Sequence, residues 1–213
     1  MVATEPAASN ANKDEIMTAA LDDAALDQLF RTGRTYNGFT DEPVTEDQLR
    51  ALWDLVKMGP TSANQLPARL VWCVSDEAKE KLAACASDSN ADKIRKAPVT
   101  VIIGMDVNFH EHLPELFPHT DAKSWFDGNA ELREASAFRN SSLQGGYFIL
   151  AARALGLDTG PMSGFDAGAV DKAFFADQPG VRTNFISTLG HGDPATIFER
   201  SPRPAFEKFN RIA

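Results

Sequence analysis

Four segments of this sequence combine glycine with polar or cationic side chains, and they are where a ligand could be held. They span residues 31–39, 59–67, 160–165 and 190–203. Glycine allows the backbone to approach a ligand closely. Hydroxyl, amide and guanidinium groups offer hydrogen bonds to its polar edges and anionic groups. The residue types therefore indicate binding of a polar ligand that carries an anion.

The segment 59–67 is the most distinctive of the four, with small polar residues enclosed by prolines at both ends. Gly59 is expected to supply a left-handed turn that ends a helix, and Pro60 to prevent the helix from continuing. The polar groups between the prolines suit a flat heteroaromatic ligand, although an ordinary polar connector is the other interpretation. The side chains that could contact such a ligand are Thr61, Ser62, Asn64 and Gln65.

Arginines in the first and last segments could bind an anion. Arg34 and Thr35 together offer a guanidinium fork and a hydroxyl, which suit a phosphate. Arg200 and Arg203 offer a second cationic clamp, although a single arginine is more often a solvated surface residue. Neither a Walker pattern nor a full dinucleotide fingerprint is present, which argues against phosphate-loop and Rossmann interpretations.

Hydrophobic periodicity predicts the helices that position these segments. A short helix over about 23–30 leads into the first segment. Thr45 and Gln48 form a capping-box pattern ahead of a helix that delivers the second. The inward stripe of that helix is Leu49, Leu52, Trp53 and Val56.

Three more helices are predicted further along the chain, over 76–86, over 135–155 and after a cap at Asp166. Gly145 and Gly146 interrupt the second of these at a cost of roughly 1 kcal/mol each relative to alanine. Close approach of another helix or of a ligand would justify that cost, and a dimer interface is one candidate.

Apolar runs predict the strands. Residues 70–74 are expected to be buried on both faces, 98–105 form the clearest strand, and 184–189 form the last. Residues 108–134 lack periodicity, which is typical of a lid or binding loop. The sequence predicts one α+β domain over 23–213 with a C-terminal arm, behind a flexible N-terminal extension, residues 1–22.

Composition excludes several function classes. The 213 residues include 21 lysines and arginines against 30 acidic residues, a net charge of −9, which argues against nucleic-acid binding. No apolar run has transmembrane length, so no membrane is expected. The N-terminus lacks a hydrophobic signal core. Cys73 and Cys85 do not form a disulfide framework, so we expect a reducing, cytoplasmic location.

The combination of motifs resembles the nitroreductase family of FMN-dependent oxidoreductases over roughly residues 24–210. It includes Arg-Thr-Tyr-Asn-Gly-Phe at 34–39, Pro-Thr-Ser-Ala-Asn-Gln at 60–65 and Gly-Pro-Met-Ser-Gly-Phe at 160–165, followed by the arginine pair. Within the family the chain looks most like the malonic semialdehyde reductase subfamily. The additional motifs are Gly59, 111–114, 116–119 and 190–193.

The resemblance implies a role for each matching residue. Arg34 and Thr35 match a family Arg-Ser pair at the FMN phosphate or ring edge, and Asn37 stands where many members have a second basic residue. Arg200 and Arg203 would bind the phosphate. Residues expected to line the flavin from the other subunit are Pro60, Thr61, Ser62 and Asn64; those expected beneath the ring are Gly160, Pro161 and Ser163, where a main-chain N–H addresses flavin N5.

The resemblance also implies an architecture and an activity. The fold would be nitroreductase-like α+β, with a mostly antiparallel sheet flanked by helices, in an intertwined homodimer with FMN at the subunit interface. NADH or NADPH would reduce flavin N5 by ping-pong kinetics, and a small electrophile would then take the hydride. In the subfamily that electrophile is malonic semialdehyde, reduced to 3-hydroxypropanoate in pyrimidine degradation. The proton could come from water, His112, His119 or Tyr36.

Other interpretations remain open at this point. The acceptor could instead be a nitroaromatic compound, a quinone or an enone, or the chain could bind flavin without turnover. His110, His112 and His119 are spaced so that they could bind zinc, as in a hydrolase, but contacts to substrate or plain structural roles are also possible.

Overall fold

The computed structural model describes residues 19–213. Residues 1–18 of the predicted N-terminal extension lie outside the described residues. The described part of the chain forms one four-stranded sheet with helices packed on both faces, as the α+β prediction requires.

The sheet is antiparallel throughout, with strand order β1-β2-β4-β3. Its strands are β1 (Ala68–Cys73), β2 (Val99–Asp106), β3 (Asp158–Met162) and β4 (Val181–Gly190). The two central strands contain the residues predicted from the β-branched runs, and every residue of β2 is buried. Both β1 and β3 lie at sheet edges, which determines where the candidate site can form.

The prediction that residues 70–74 are buried on both faces is wrong. Four of the six residues of β1 are only half-buried, and Val74 lies beyond the strand with 49% of its surface exposed. The physical reason is position: β1 pairs with β2 on one side only, so its other edge is open among the described residues. An apolar run does not distinguish an edge strand from a central one.

The helices are α1 (Asp23–Leu26), α2 (Glu46–Val56), α3 (Asp76–Ala83), α4 (Asp88–Lys96), α5 (Leu113–Leu116), α6 (Ala130–Ala154), α7 (Ala167–Phe174) and α8 (Phe206–Phe209). The capping box at the start of α2 is confirmed, with Thr45 and Gln48 bonding reciprocally. Hydrophobic periodicity does not predict α4, because only Ala91 and Ile94 of this charged helix are buried.

Two apolar layers hold the helices to the sheet. On one face, α2 and α6 contribute Leu52 and Phe148, which pack with Val101. On the other face, α3 and α7 contribute Leu82 and Val170, which pack with Ile102. Adjacent residues of β2 serve opposite layers because side chains alternate along a strand.

The glycine pair inside α6 has a different explanation from the one predicted. A Cβ at Gly145 would overlap the ring of Phe185 in β4, so this glycine lets the helix sit on the sheet. Another helix or a ligand is not needed to explain it. Gly146, in contrast, has no described atom within 4 Å of the position a Cβ would take.

The aperiodic segment 108–134 is anchored to the body of the protein. Its Phe109 and Phe126 rings meet edge to face, with centroids 4.9 Å apart, and Leu113 is buried beside them. The segment also contains α5, and its last residues begin α6. No helix within residues 19–213 is long and apolar enough to cross a membrane.

Candidate functional site

The first polar segment lies along the outer edge of β3. The backbone N–H of Tyr36 donates to the carbonyl of Thr159 at 3.0 Å, and Thr35 forms a bridge with the same residue. A π-helical turn at Asp27–Arg31 ends α1 and carries the chain to this edge. The first segment therefore extends the sheet beyond β3 by an isolated bridge.

The last polar segment meets the first one directly. Asn37 donates from its side-chain nitrogen to the carbonyl of Thr196 at 3.0 Å, and Arg34 donates to the carbonyl of Phe198. In return, Arg200 donates to the carbonyl of Gly33 at 2.9 Å. These reciprocal bonds hold two segments together that are far apart in the sequence.

A cavity of about 350 Å³ opens between the two segments. Five predicted site residues line it: Arg34, Thr35, Asn37, Arg200 and Arg203. The lining contains four guanidinium groups, the fourth from Arg153, against the single carboxylate of Glu199. Such an excess of positive charge around a half-enclosed volume is what a phosphate group requires.

Arg153 is a site residue that sequence reasoning missed. It lies in the last turn of α6, where a cation is ordinarily explained by the helix dipole. Burial lowers the pKa of its guanidinium, and Asp158 opposes that shift. Burial raises the pKa of the Asp158 carboxyl, although the Gly192 N–H and Arg153 favour its charged form. The sequence signal was present only as one arginine in a predicted helix.

Tyr36 belongs to the same edge of the sheet. Burial raises the pKa of its phenol, and nearby Asp158 raises it further, so the hydroxyl remains protonated at neutral pH. The Tyr36 ring lies against Gly192, where a Cβ would overlap it. This packing explains, without any ligand, why residue 192 is a glycine.

The third segment begins inside a strand, because residues 160–162 belong to β3. A Cβ at Gly160 would lie 2.6 Å from the carbonyl oxygen of Tyr36 and would overlap the Thr188 hydroxyl. The glycine is therefore needed where β4 and the first segment press against β3. Pro161 is half-buried, and Ser163 is exposed just beyond the strand. This segment lies at the same sheet edge as the first and last ones.

The second segment is held rigidly elsewhere. The Tyr147 hydroxyl donates to the carbonyl of Pro60 at 2.8 Å, and the Asn64 side chain donates to the carbonyl of Leu116 at 2.8 Å. Three non-glycine residues take the left-handed backbone region: Ala63, Asn64 and Leu66, with φ of 47°, 49° and 40°. This conformation is costly for residues with a Cβ and is often found at functional sites.

The expected left-handed turn at Gly59 is wrong. In the described residues, positive φ at glycine occurs only at Gly128 and Gly156. A Cβ at Gly59 would instead overlap the ring of Tyr147, so the glycine is required by close packing on α6. Gly156, by contrast, ends α6 in the left-handed region, with φ of 74°.

A buried amide network fixes the backbone of the second segment. Asn140 is 1% exposed; its side-chain oxygen accepts from the N–H of Ser62 at 2.8 Å, and its nitrogen donates to the side-chain oxygen of Gln65 at 3.1 Å. Ser136 donates to the same oxygen of Gln65 at 2.9 Å. The loop therefore depends on two polar side chains of α6, those of Asn140 and Ser136. It also depends on the Thr61 hydroxyl, which accepts from the N–H of Leu66 at 3.2 Å.

Asn140→Ala is expected to lower the free energy of unfolding by about 1–3 kcal/mol, because buried partners would lose their hydrogen bonds. Urea denaturation measures the change. Arg139→Ala is the matched control, since Arg139 is exposed on the same helix and should change stability by less than about 0.5 kcal/mol. Equal stability of the two variants would contradict the role given to Asn140.

The second segment and the other three lie at opposite edges of the sheet. It leads into β1, whereas they surround β3, and three inter-strand spacings of about 4.8 Å separate those strands by roughly 14 Å. Among the described residues, no hydrogen bond joins segment 59–67 to 31–39, 160–165 or 190–203. One chain thus gathers three of the four predicted segments.

The three histidines of the aperiodic segment do not converge. The Nε2 atom of His110 lies 3.5 Å from Glu111 and 3.7 Å from Asp127, whereas that of His112 lies 3.9 Å from Asp106. His119 packs edge-on against the ring of Phe117. Within residues 19–213, no three His, Cys, Asp or Glu side chains are grouped so that they could hold a metal ion.

Comparison with known proteins gives consistent results. A sequence model described as the nitroreductase family matches residues 31–191. A protein of Stenotrophomonas maltophilia with the provisional name NADH dehydrogenase/NAD(P)H nitroreductase is 62% identical over 197 residues, covering 92% of this chain and 100% of its own length.

Solved structures share the fold. A Bacillus subtilis protein, provisionally called a nitroreductase, has a TM-score of 0.78 at 22% identity over 89% of this chain and 99% of its own. A protein of Exiguobacterium sibiricum, crystallised in complex with FMN, has a TM-score of 0.79 at 17% identity over 92% and 99% of the two chains.

Proposed function

Because this chain belongs to the nitroreductase family, we propose that it is an FMN-dependent NAD(P)H oxidoreductase. The observation that carries the proposal is the cavity of four arginines beside β3. Its charge fits the phosphate of FMN, and the cofactor and nicotinamide agree with what similar proteins are said to bind or use. Bound FMN would take a hydride from NAD(P)H and pass it to a second substrate.

The predicted residues would contact different parts of the cofactor. Arg34, Arg200 and Arg203 would bind the phosphate as charge-assisted donors, with Thr35 and Asn37 completing its surroundings. Gly160 and Pro161 lie in the edge strand next to this cavity, and Ser163 lies just beyond its end, so these residues would contact the flavin ring. Main-chain N–H donors near the ring would stabilise the charge that reduction places on it.

The remaining contacts are proposed to come from a second copy of the chain. The segment that contains Pro60, Thr61, Ser62 and Asn64 leads into β1, the edge strand farthest from the arginines. Ser62 and Asn64 are exposed, although the loop around them is rigid. A loop that is rigid, conformationally strained and exposed is well suited to meet a ligand held by a partner subunit. We therefore propose a homodimer with two flavin sites at its interface.

The C-terminal arm and the open edge of the sheet support the homodimer. The arm exposes Phe198, Phe206, Phe209 and Ile212, at 80%, 54%, 72% and 92% of their surfaces. A groove of about 690 Å³ beside the open edge of β1 is lined by five apolar side chains and by the charged Glu46, Arg50 and Asp54. The arm of one subunit would cover the groove of the other; the apolar residues of that groove are Val44, Leu49, Trp53, Trp72 and Val74.

We assign malonic semialdehyde as the physiological acceptor, which would give 3-hydroxypropanoate in pyrimidine degradation. The subfamily motifs 111–114 and 116–119 adjoin the proposed flavin loop, since Asn64 bonds to Leu116. A cavity of about 270 Å³ beside them is lined by Arg69 and His112, whose N–H donors would suit a substrate carboxylate, and also by the carboxylate of Glu115. Hydride addition to the carbonyl carbon leaves an alkoxide that needs one proton, which His112 or water would supply.

A nitroaromatic compound, a quinone or an enone is the second candidate acceptor. The name of the Stenotrophomonas maltophilia relative favours nitro compounds. Steady-state rates with malonic semialdehyde and with a panel of nitroaromatics, quinones and enones distinguish the two assignments. A value of kcat/KM at least about tenfold higher for the aldehyde supports the first, and the reverse order supports the second.

A visible spectrum of the purified protein tests the cofactor and the activity together. The protein is expected to be yellow after incubation with FMN and to lose that absorbance under anaerobic NADH or NADPH. A preparation that remains colourless contradicts the cofactor assignment. Yellow protein that neither nicotinamide bleaches would instead be a flavin-binding protein without turnover.

Arg34→Ala is expected to raise the Kd for FMN more than about tenfold, because a charge-assisted contact to the phosphate is lost. Equilibrium titration of flavin fluorescence measures the change. Arg31→Ala is the control, since exposed Arg31 pairs with Asp23 and Asp27 at 2.8 and 3.1 Å. If FMN affinity is the same in both variants, Arg34 does not belong to the site.

A further inference from the structure

The guanidinium of Arg153 keeps donors that its own chain does not use. Its Nη1 donates to the carbonyl of Leu29 at 2.7 Å, which fixes the side chain against the π-helical turn. The buried Nε atom donates to none of the described residues. Nη2 also makes no hydrogen bond within residues 19–213. Arg153 is half-buried as a whole, but a guanidinium nitrogen that is itself buried is normally hydrogen-bonded, so the unused Nε of Arg153 is unusual.

The position of Arg153 is set by contact with Gly33. A Cβ at Gly33 would lie 2.6 Å from the Cζ atom of Arg153 and 2.7 Å from two of its nitrogens. Arg200, which also lines the cavity, donates a hydrogen bond to the carbonyl of Gly33. Only glycine at this position leaves room for the Arg153 guanidinium to lie flat against the backbone that precedes Arg34.

The charges around Arg153 are unbalanced. It lines the same cavity as Arg34, Arg200 and Arg203, and the positive charge of Arg200 disfavours its charged form. Asp158 is the carboxylate that favours it. Grouping cations in a partly buried volume costs free energy unless an anion joins them. The cavity is therefore electrostatically incomplete until it holds a group with negative charge.

We propose that Arg153 is a phosphate-recognition residue of the flavin site, which makes the protein select FMN over the unphosphorylated riboflavin. The assignment rests on the function proposed above. Arg153 packs against Gly33 of the first segment and lines the cavity. Its unused donors and its charge would therefore contact the phosphate of the cofactor. It differs from Arg34, Arg200 and Arg203 because α6 anchors it, so it needs no ordering when the ligand binds.

The test measures the Kd for FMN and for riboflavin by fluorescence titration of the full-length protein. Arg153→Met is expected to raise the Kd for FMN at least about tenfold while changing that for riboflavin less than about threefold. Arg153→Lys keeps the charge and should recover part of the preference. Arg139→Met, on the exposed face of the same helix, should change neither Kd.

A second variant moves the guanidinium without removing it. The Cβ of Gly33→Ala would occupy the space of the Arg153 guanidinium, whose flexible side chain can move away. This variant should also lose FMN preference, and it decides the question if Arg153→Met does not fold. Folding of each variant is checked by thermal unfolding before titration.

The outcomes separate the inference from the function on which it rests. Parallel loss of FMN and riboflavin affinity in both variants would show a purely structural role and overturn the inference. Unchanged FMN preference in both variants would do the same, while the proposed function would stand. Wild-type protein that binds neither flavin would overturn the proposed function, and therefore also the inference about Arg153.

Discussion

Deletion of residues 198–213 is expected to give a folded, monomeric chain that binds FMN at least about a hundredfold more weakly than the full-length protein. The deletion removes Arg200 and Arg203 from the phosphate cavity, and each charge-assisted contact contributes about 1.5–3 kcal/mol. It also removes the apolar side chains proposed to cover the partner. Size-exclusion chromatography with light scattering and FMN titration measure the two effects.

Two full-length variants separate the contributions of the arm. Arg200→Ala/Arg203→Ala should remain dimeric but lose FMN affinity, because only the phosphate contacts are removed. Phe206→Ser/Phe209→Ser should weaken the dimer, because these exposed rings are proposed to bind the partner. The truncated chain is expected to fold, since residues 198–213 bury no side chain in their own subunit. A truncated dimer with wild-type FMN content would refute both roles.

Mixing two defective variants is expected to restore flavin binding. Arg34→Ala removes a phosphate contact, and Ser62→Trp places a bulky ring on the exposed loop at the far edge of the sheet. If each site uses one segment from each subunit, a mixed dimer has one intact site and one doubly defective site. Random mixing makes about half of the dimers mixed, so about a quarter of the wild-type sites should return.

The mixing experiment distinguishes a shared site from a site within one chain. The variants are purified separately, unfolded and refolded together, and FMN content and NAD(P)H oxidation are measured against each variant refolded alone. A site built within one chain gives no recovery, because every chain then carries one defect. Arg31→Ala mixed with Ser62→Trp is the control, and it should retain the larger fraction of sites that one intact partner provides.

Local sequence patterns predicted most of the secondary structure. Strand β2 was identified from its β-branched run, and α2 from a capping box with an inward stripe. These features depend on residues within a few positions of each other, so they can be read from the sequence. Helix α4 was missed because only two of its residues, Ala91 and Ile94, are buried, which is too few to give a clear hydrophobic period.

Glycines show why local patterns were insufficient for the site. Gly59, Gly145 and Gly160 were all interpreted through turns, ligands or interfaces. In the structure each accommodates a group distant in the sequence: the rings of Tyr147 and Phe185 and the carbonyl of Tyr36. The residue type correctly indicated close approach, but what approaches depends on packing between elements.

The sequence by itself determined most of the elements, the family resemblance and the four polar segments, because each rests on neighbouring residues. Only the tertiary structure placed three segments at the β3 edge and the fourth at the β1 edge, and added Arg153 to the arginine cavity. The bonds responsible join residues such as Asn37 to Thr196 and Arg200 to Gly33, which lie 159 and 167 positions apart. Contacts of that range are fixed by strand order and helix packing, which periodicity and motif spacing do not encode.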